Sequence, residues 1–217
     1  MRNDILREIA SYRRLQENFS GKIVPLAGFS VYCAEDLLPP NNRVTRSFVE
    51  VIQSERAASV LDLGCGTGIL ALVASKHSQR VIGIDNNPIA VDCARLNASI
   101  NHIDNTTFLN GNGFTPVEGH KFDLILCNPP FYPVIHIKNS PRSICQHGEE
   151  QDNLLSLLIL GMSKHLKPGG KSLFVTSSLS ENDLLRKMLY EQNLTFKTSL
   201  LSRGKHQEIL LWTTRVR

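Results

Sequence analysis

The sequence V-L-D-L-G-C-G-T-G at residues 60–68 decides the fold. Val60, Leu61 and Leu63 have the continuous apolar character of a strand buried on both faces. Gly64, Gly66 and Gly68 then alternate through a tight loop, and I-L-A-L-V-A opens a helix. Glycine lets the backbone turn sharply and approach a ligand with no Cβ in the way. A glycine-rich turn between strand and helix places a nucleotide-like ligand at the mouth of a parallel sheet. The spacing narrows the choice of ligand. A pyrophosphate loop has the form G-x-G-x-x-G, whereas here the third glycine comes one residue early and Asp62 precedes the loop. That carboxylate repels phosphate and suits a cationic or hydroxyl-bearing group, which disfavours a nicotinamide dehydrogenase.

Downstream, strands and helices alternate. The pattern predicts strand 60–63, helix 68–77, strand 80–84, helix 88–101, strands 106–109 and 122–127, and helix 152–166 closed by a K-P-G-G turn. Strand 171–176, helix 181–192 and strands 196–201 and 209–213 follow. Such alternation gives an α/β doubly wound, mostly parallel, Rossmann-like sheet of seven strands. The last two strands are joined only by R-G-K-H-Q, so they pair antiparallel. Upstream, Ile5, Ile9, Tyr12 and Phe19 mark an amphipathic helix with Arg7, Arg13 and Arg14 on its solvated side, and 22–33 reads as a hairpin. Asp36, Pro39, Pro40 and Arg43 lie in a loop, and Asn42 or Thr45 leads into a helix around 47–54. The expectation is one domain over 1–217, with an N-terminal helix (1–20), a lead-in (21–58) and a core (59–217).

Composition limits the function. With 217 residues, 41% of them hydrophobic, the chain can bury a sizeable core. The net charge of +4 permits an RNA or acidic-protein partner without demanding one. The N-terminus carries charge where a signal peptide is apolar, and the run 154–160 is too short to span a bilayer. No membrane role is therefore expected, and a cytoplasmic location is. Cys33, Cys65, Cys93, Cys127 and Cys145 are odd in number and without C-x-x-C spacing, so free thiols and no metal are expected.

Asn128-Pro129-Pro130-Phe131 directly follows the strand 122–127. The prolines lock the backbone and can turn the Pro129 carbonyl outward. An amino group conjugated to a carbonyl or ring is a poor nucleophile because its lone pair is delocalised. If the Asn128 side-chain oxygen and the Pro129 carbonyl each accept one N–H, the lone pair is aimed at an electrophile. Phe131 can stack on a planar acceptor.

These two motifs together resemble the class I S-adenosylmethionine-dependent methyltransferases, whose first motif is D-x-G-x-G-x-G. Within them the chain resembles the N-P-P-[YF] enzymes that act on planar nitrogen: release-factor glutamine, DNA or RNA adenine, and RNA guanine methyltransferases. The resemblance covers roughly 31–175 and implies S-adenosylmethionine as cofactor. It implies cofactor contacts from Asp62, Gly64, Cys65, Gly66 and Gly68, ribose contacts from Asp85 with Asn86, and contributions from Asn128. The adenine position falls at Asn112, where the family usually has Asp, with Gly113 and Phe114 beside it. An amide oxygen still accepts from an adenine amino group. The polar segment after the motif reads as a substrate loop, with Arg142, His147 and Glu149 as acceptor contacts. A glutamine side chain in a release-factor-like protein is the favoured acceptor. An RNA base amino group, a small molecule and a non-catalytic cofactor-binding scaffold are the alternatives, and the oligomeric state stays open.

Overall fold

The computed structural model describes residues 2–35, 37–132 and 153–217. Seven strands form one sheet in the order β5-β4-β3-β6-β7-β9-β8. They are β3 (Ser59–Leu63), β4 (Arg80–Asp85), β5 (Thr106–Asn110), β6 (Phe122–Cys127), β7 (Leu166–Ser177), β8 (Leu194–Arg203) and β9 (Glu208–Val216). The first five run parallel, and β9 is antiparallel to both β7 and β8, between which it lies. The expected α/β sheet with its reversed last strand is present.

Side chains alternate across each strand, so consecutive core residues enter opposite layers. Val60, Leu124, Leu126, Leu173 and Val175 pack under the helices α1 (Arg2–Phe19), α2 (Arg43–Ile52), α3 (Ile69–Ser75) and α4 (Pro88–Ile100). Leu61, Leu63, Ile125, Phe174 and Trp212 pack on the other face, under α5 (Leu154–His165) and α6 (Asn182–Glu191). α1 inserts Ile5, Ile9 and Tyr12, all buried and spaced to share one helical face.

A two-stranded hairpin, β1 (Lys22–Leu26) and β2 (Phe29–Cys33), stands outside the main sheet. Asn97 on α4 and Asn101 at its C-cap, one turn apart, supply it with a substitute strand edge. The Asn97 Oδ1 accepts from the Tyr32 amide at 2.7 Å and its Nδ2 donates to the Tyr32 carbonyl at 2.9 Å. Asn101 repeats the exchange with Ser30 at 2.9 and 2.8 Å.

Two boundaries differ from the sequence reading. α2 begins at Arg43, four residues earlier than expected, because Asn42 caps it by accepting the Thr45 amide at 2.9 Å. The K-P-G-G stretch is not a turn that closes the preceding helix. It lies inside β7, whose pairing with β6 skips from Leu166 to Lys171 while β6 advances only from Phe122 to Leu124. The four residues are accommodated as a bulge between two paired ends, with Gly169 in the left-handed region at φ 77°.

Candidate active site

The chain leaves β3 for β4 on one side and returns to β6 on the other. The crevice of a doubly wound sheet opens at such a reversal, beyond the carboxyl ends of its strands. Asp62, Asp85 and Asn128 all lie at that edge, at the ends of β3, β4 and β6.

The glycine loop is tied to the end of β4. The amides of Gly64 and Cys65 donate to the Ile84 carbonyl at 2.8 and 3.0 Å. Gly66 donates to Asp85 Oδ2 at 2.9 Å, and Asp85 Oδ1 accepts from the Asn87 amide at 2.9 Å. Gly64, Gly66 and Gly68 all have positive φ, at 78°, 53° and 80°. A Cβ on Gly68 would lie 2.8 Å from the Ala94 Cβ, so this glycine lets α4 close on the loop. At Gly66 a Cβ would meet nothing within 4 Å, so that side of the loop is open. Asn97, besides holding β2, donates to the Thr67 carbonyl at 2.9 Å and so braces the loop from below.

Asp62 is fully buried. Its Oδ2 accepts from the Ala71 amide at 3.1 Å, while its Oδ1 has no hydrogen-bond partner. Burial pushes its carboxyl up to about 7, the Ala71 hydrogen bond opposing and the Asp85 charge adding to the rise. Asp85 is likewise raised by burial, against amide hydrogen bonds from Asn87, Gly66 and Asn86. Two carboxylates side by side, one with an orphaned oxygen, form a site suited to a ligand bearing a cation and hydroxyl groups. An S-adenosylmethionine ammonium and ribose match that donor set.

Asn128, half-buried, donates its Nδ2 to the Thr45 hydroxyl oxygen at 3.4 Å. That oxygen also accepts from Asn42 Nδ2 at 2.8 Å, and Asn42 Nδ2 donates in turn to the Pro39 carbonyl at 2.7 Å. With its amino group directed at Thr45, Asn128 turns its carbonyl oxygen away from α2. Thr45 is the partner that sequence reasoning missed in this role, since 83 residues separate the two.

The remaining expected residues divide. Asn86 and Asn112 are exposed at the same edge. Gly113 has φ 54° and faces Leu157 of α5, while Leu154 lies against Gly64. Cys65 is buried beneath the loop and its thiol is pushed well up, first by burial and then by Asp62 and Asp85. Phe114 stacks on His165 at 4.2 Å and is buried. Phe131 is 4% exposed, edge-on to Tyr132 at 4.9 Å, and contributes to the core. Arg142, His147, Glu149 and Asp36 lie outside the described residues. Among the described residues no three His, Cys, Asp or Glu side chains converge as metal ligands, and no helix is long and apolar enough to cross a membrane.

A family model described as the methyltransferase small domain matches residues 30–199 of the sequence. The chain belongs to the methyltransferase small-domain family. It is an S-adenosylmethionine-dependent methyltransferase. It is 33% identical over 151 residues to a provisionally named protein N5-glutamine methyltransferase of Methanocaldococcus jannaschii, covering 67% of this chain and 74% of that one. It is 30% identical over 163 residues to the release factor glutamine methyltransferase of Geobacter sulfurreducens, covering 67% of this chain and 57% of that one. The methyltransferase thus matches little more than half the length of the bacterial enzyme. Among solved structures it resembles the ribosomal protein L11 methylase of Lactobacillus delbrueckii, with TM-score 0.62, 23% identity and 86% of each chain covered. It also resembles the N-methyltransferase NodS of Bradyrhizobium japonicum in complex with S-adenosyl-L-homocysteine. There the TM-score is 0.60 at 18% identity, covering 81% of the methyltransferase and 89% of NodS.

Proposed function

We propose that this methyltransferase methylates the side-chain amide nitrogen of a glutamine in a protein. The observation that carries the reading is Asn128, held through Thr45 at the end of β6 with its amide oxygen directed away from α2. The similarity to two glutamine methyltransferases supports it.

In this reading Asp62 receives the cofactor's ammonium, Asp85 with Asn86 its ribose hydroxyls, and Asn112 with the Gly113–Phe114 backbone its adenine. S-adenosylmethionine supplies a methyl group on a sulfonium, activated so that the acceptor needs positioning more than acid–base help. Asn128 Oδ1 and the Pro129 carbonyl each accept one N–H of the acceptor amide, which keeps the nitrogen lone pair directed at the methyl group. The surplus proton then passes to water. Pro129 and Pro130 hold the carbonyl in place.

The test is transfer of radiolabelled methyl from S-adenosylmethionine into a cell extract lacking this protein, separated into protein, RNA and small molecules. Label in a protein, mapped by mass spectrometry to glutamine, is the expected result. Label in RNA would move the acceptor to a base amino group, and label among small molecules to a metabolite. Either result overturns the glutamine reading.

A further inference from the structure

A groove of about 460 Å³ opens between α1, the start of α2 and the β8–β9 hairpin. Arg7, Arg14, Arg43, Lys205 and His206 line it, and Glu8 is the one carboxylate among the described lining residues. The Arg43 guanidinium lies against Gly204, where any side chain would displace it, so the hairpin glycine makes room for that cation. Because β8 runs parallel to β7, the β8–β9 hairpin turns at the same carboxyl edge as Asp62, Asp85 and Asn128.

Two hydrogen-bond chains connect this groove to the Asn128–Tyr132 segment. On one side Asn42, which lines the groove, donates to the Thr45 hydroxyl that holds Asn128. On the other, Gln207 follows His206, and its Oε1 accepts from the Tyr132 hydroxyl at 2.8 Å. The groove wall is thus coupled through hydrogen bonds to the segment that carries the N-P-P-F motif.

We propose that the groove docks an acidic segment of the protein acceptor. The proposal rests on a protein being the substrate. Arg7 is paired with Asp4 at 3.2 Å, which leaves Arg14, Arg43 and Lys205 against Glu8, an excess that favours an anionic partner. The one tyrosine, phenylalanine or tryptophan ring in the described lining, Tyr12, is 7% exposed, so the groove offers no large aromatic platform of the kind single-stranded RNA uses. Leu15 and Val44 add apolar surface that suits a peptide better than a sugar-phosphate chain. Arg7 and Arg14 stand two helical turns apart, about 10 Å. Side chains of an extended peptide alternate between two faces, so the carboxylates that meet this helix face stand an even number of positions apart, two or four.

The experiment is fluorescence anisotropy with fluorescein-labelled hexaglutamate, hexalysine and dodecauridylate, on the whole protein and on Arg14→Glu/Lys205→Glu. Both substituted side chains are exposed, and S-adenosylmethionine calorimetry on the variant checks that the fold is kept. Hexaglutamate should bind in preference to hexalysine, and its Kd should rise about tenfold or more in the variant. Equal binding of the two peptides, or an unchanged Kd in the variant, overturns the proposal. So does tighter binding of dodecauridylate that the variant loses, which would assign the groove to nucleic acid. Binding is read here without transfer. A protein that binds hexaglutamate but methylates no protein fails the functional reading, and one that methylates glutamine without binding hexaglutamate fails only this proposal.

Discussion

The side-chain nitrogen of Asn128 and the hydroxyl oxygen of Thr45 meet at 3.4 Å, across the gap between the end of β6 and the first turn of α2. The same oxygen takes a second donor from Asn42, so the threonine hydroxyl anchors the Asn128 amide group beside α2. Removing that hydroxyl lets the amide flip and present donors where acceptors are needed. Thr45→Val should lower kcat about tenfold while the KM for S-adenosylmethionine stays within about twofold, and Thr45→Ser should restore it. A Val variant with unchanged kcat would show that the contact is structural only.

Asn128 itself is tested more directly. Asn128→Ala should reduce methyl transfer by about a hundredfold or more, as loss of oriented hydrogen bonds at a reacting group does. Cofactor binding, measured by calorimetry, should change less than about threefold. Unchanged turnover would remove Asn128 from the mechanism.

Asp62 links ligand binding to pH. Burial pushes its carboxyl up to about 7 in the folded protein against an ordinary aspartate value of 3.8, so folding takes up a proton between those values. This contribution to stability is fully present below about pH 4 and is lost as pH rises through 7. Cofactor affinity runs the opposite way, because an ammonium pairs with the ionised form. The Kd for S-adenosylmethionine should therefore rise as pH falls below about 7, approaching tenfold per unit. A flat profile from pH 5.5 to 8 would remove the ammonium from Asp62.

Asp62→Asn separates the two effects. It should raise the stability of the ligand-free protein at pH 8, by on the order of 2–4 kcal/mol, because an uncompensated buried charge is gone. It should also weaken cofactor binding at least about tenfold. Thermal melting with and without S-adenosylmethionine reads both, and a variant less stable at pH 8 contradicts this account.

Gly68→Ala tests the close approach of α4 to the loop. A methyl group there would adopt φ 80° and lie 2.8 Å from the Ala94 Cβ. The cost should be about 2–3 kcal/mol in chemical denaturation, and an Ala94→Gly change in the same chain should recover part of it.

The sequence made the sheet and its ligand edge readable because both are written in local signals. Continuous apolar runs mark β3, β4 and β6, and the early third glycine together with Asp62 pointed to a cation-bearing ligand rather than a pyrophosphate. What it could not show depends on contacts between distant segments. Nothing local in Asn97 or Asn101 marks them as the partners of β2, since each exchanges hydrogen bonds across more than 60 residues. Lys167–Gly170 has the composition of a turn, and only its pairing with β6 on either side draws it into a strand. Phe114 looks like a residue free to touch a ligand until α5 brings His165 against its ring.

The reversed strand also constrains the order in which the molecule can be assembled. β9 is made after β8 yet separates it from β7. Until residues 208–216 emerge from the ribosome, β7 and β8 each carry an unpaired edge on the side that β9 will fill. Such edges recruit other chains, so a chain in which β9 has not yet paired exposes two edges open to intermolecular pairing. The same late strand closes the hairpin beside Asn128, so the sheet and the groove are completed in one step.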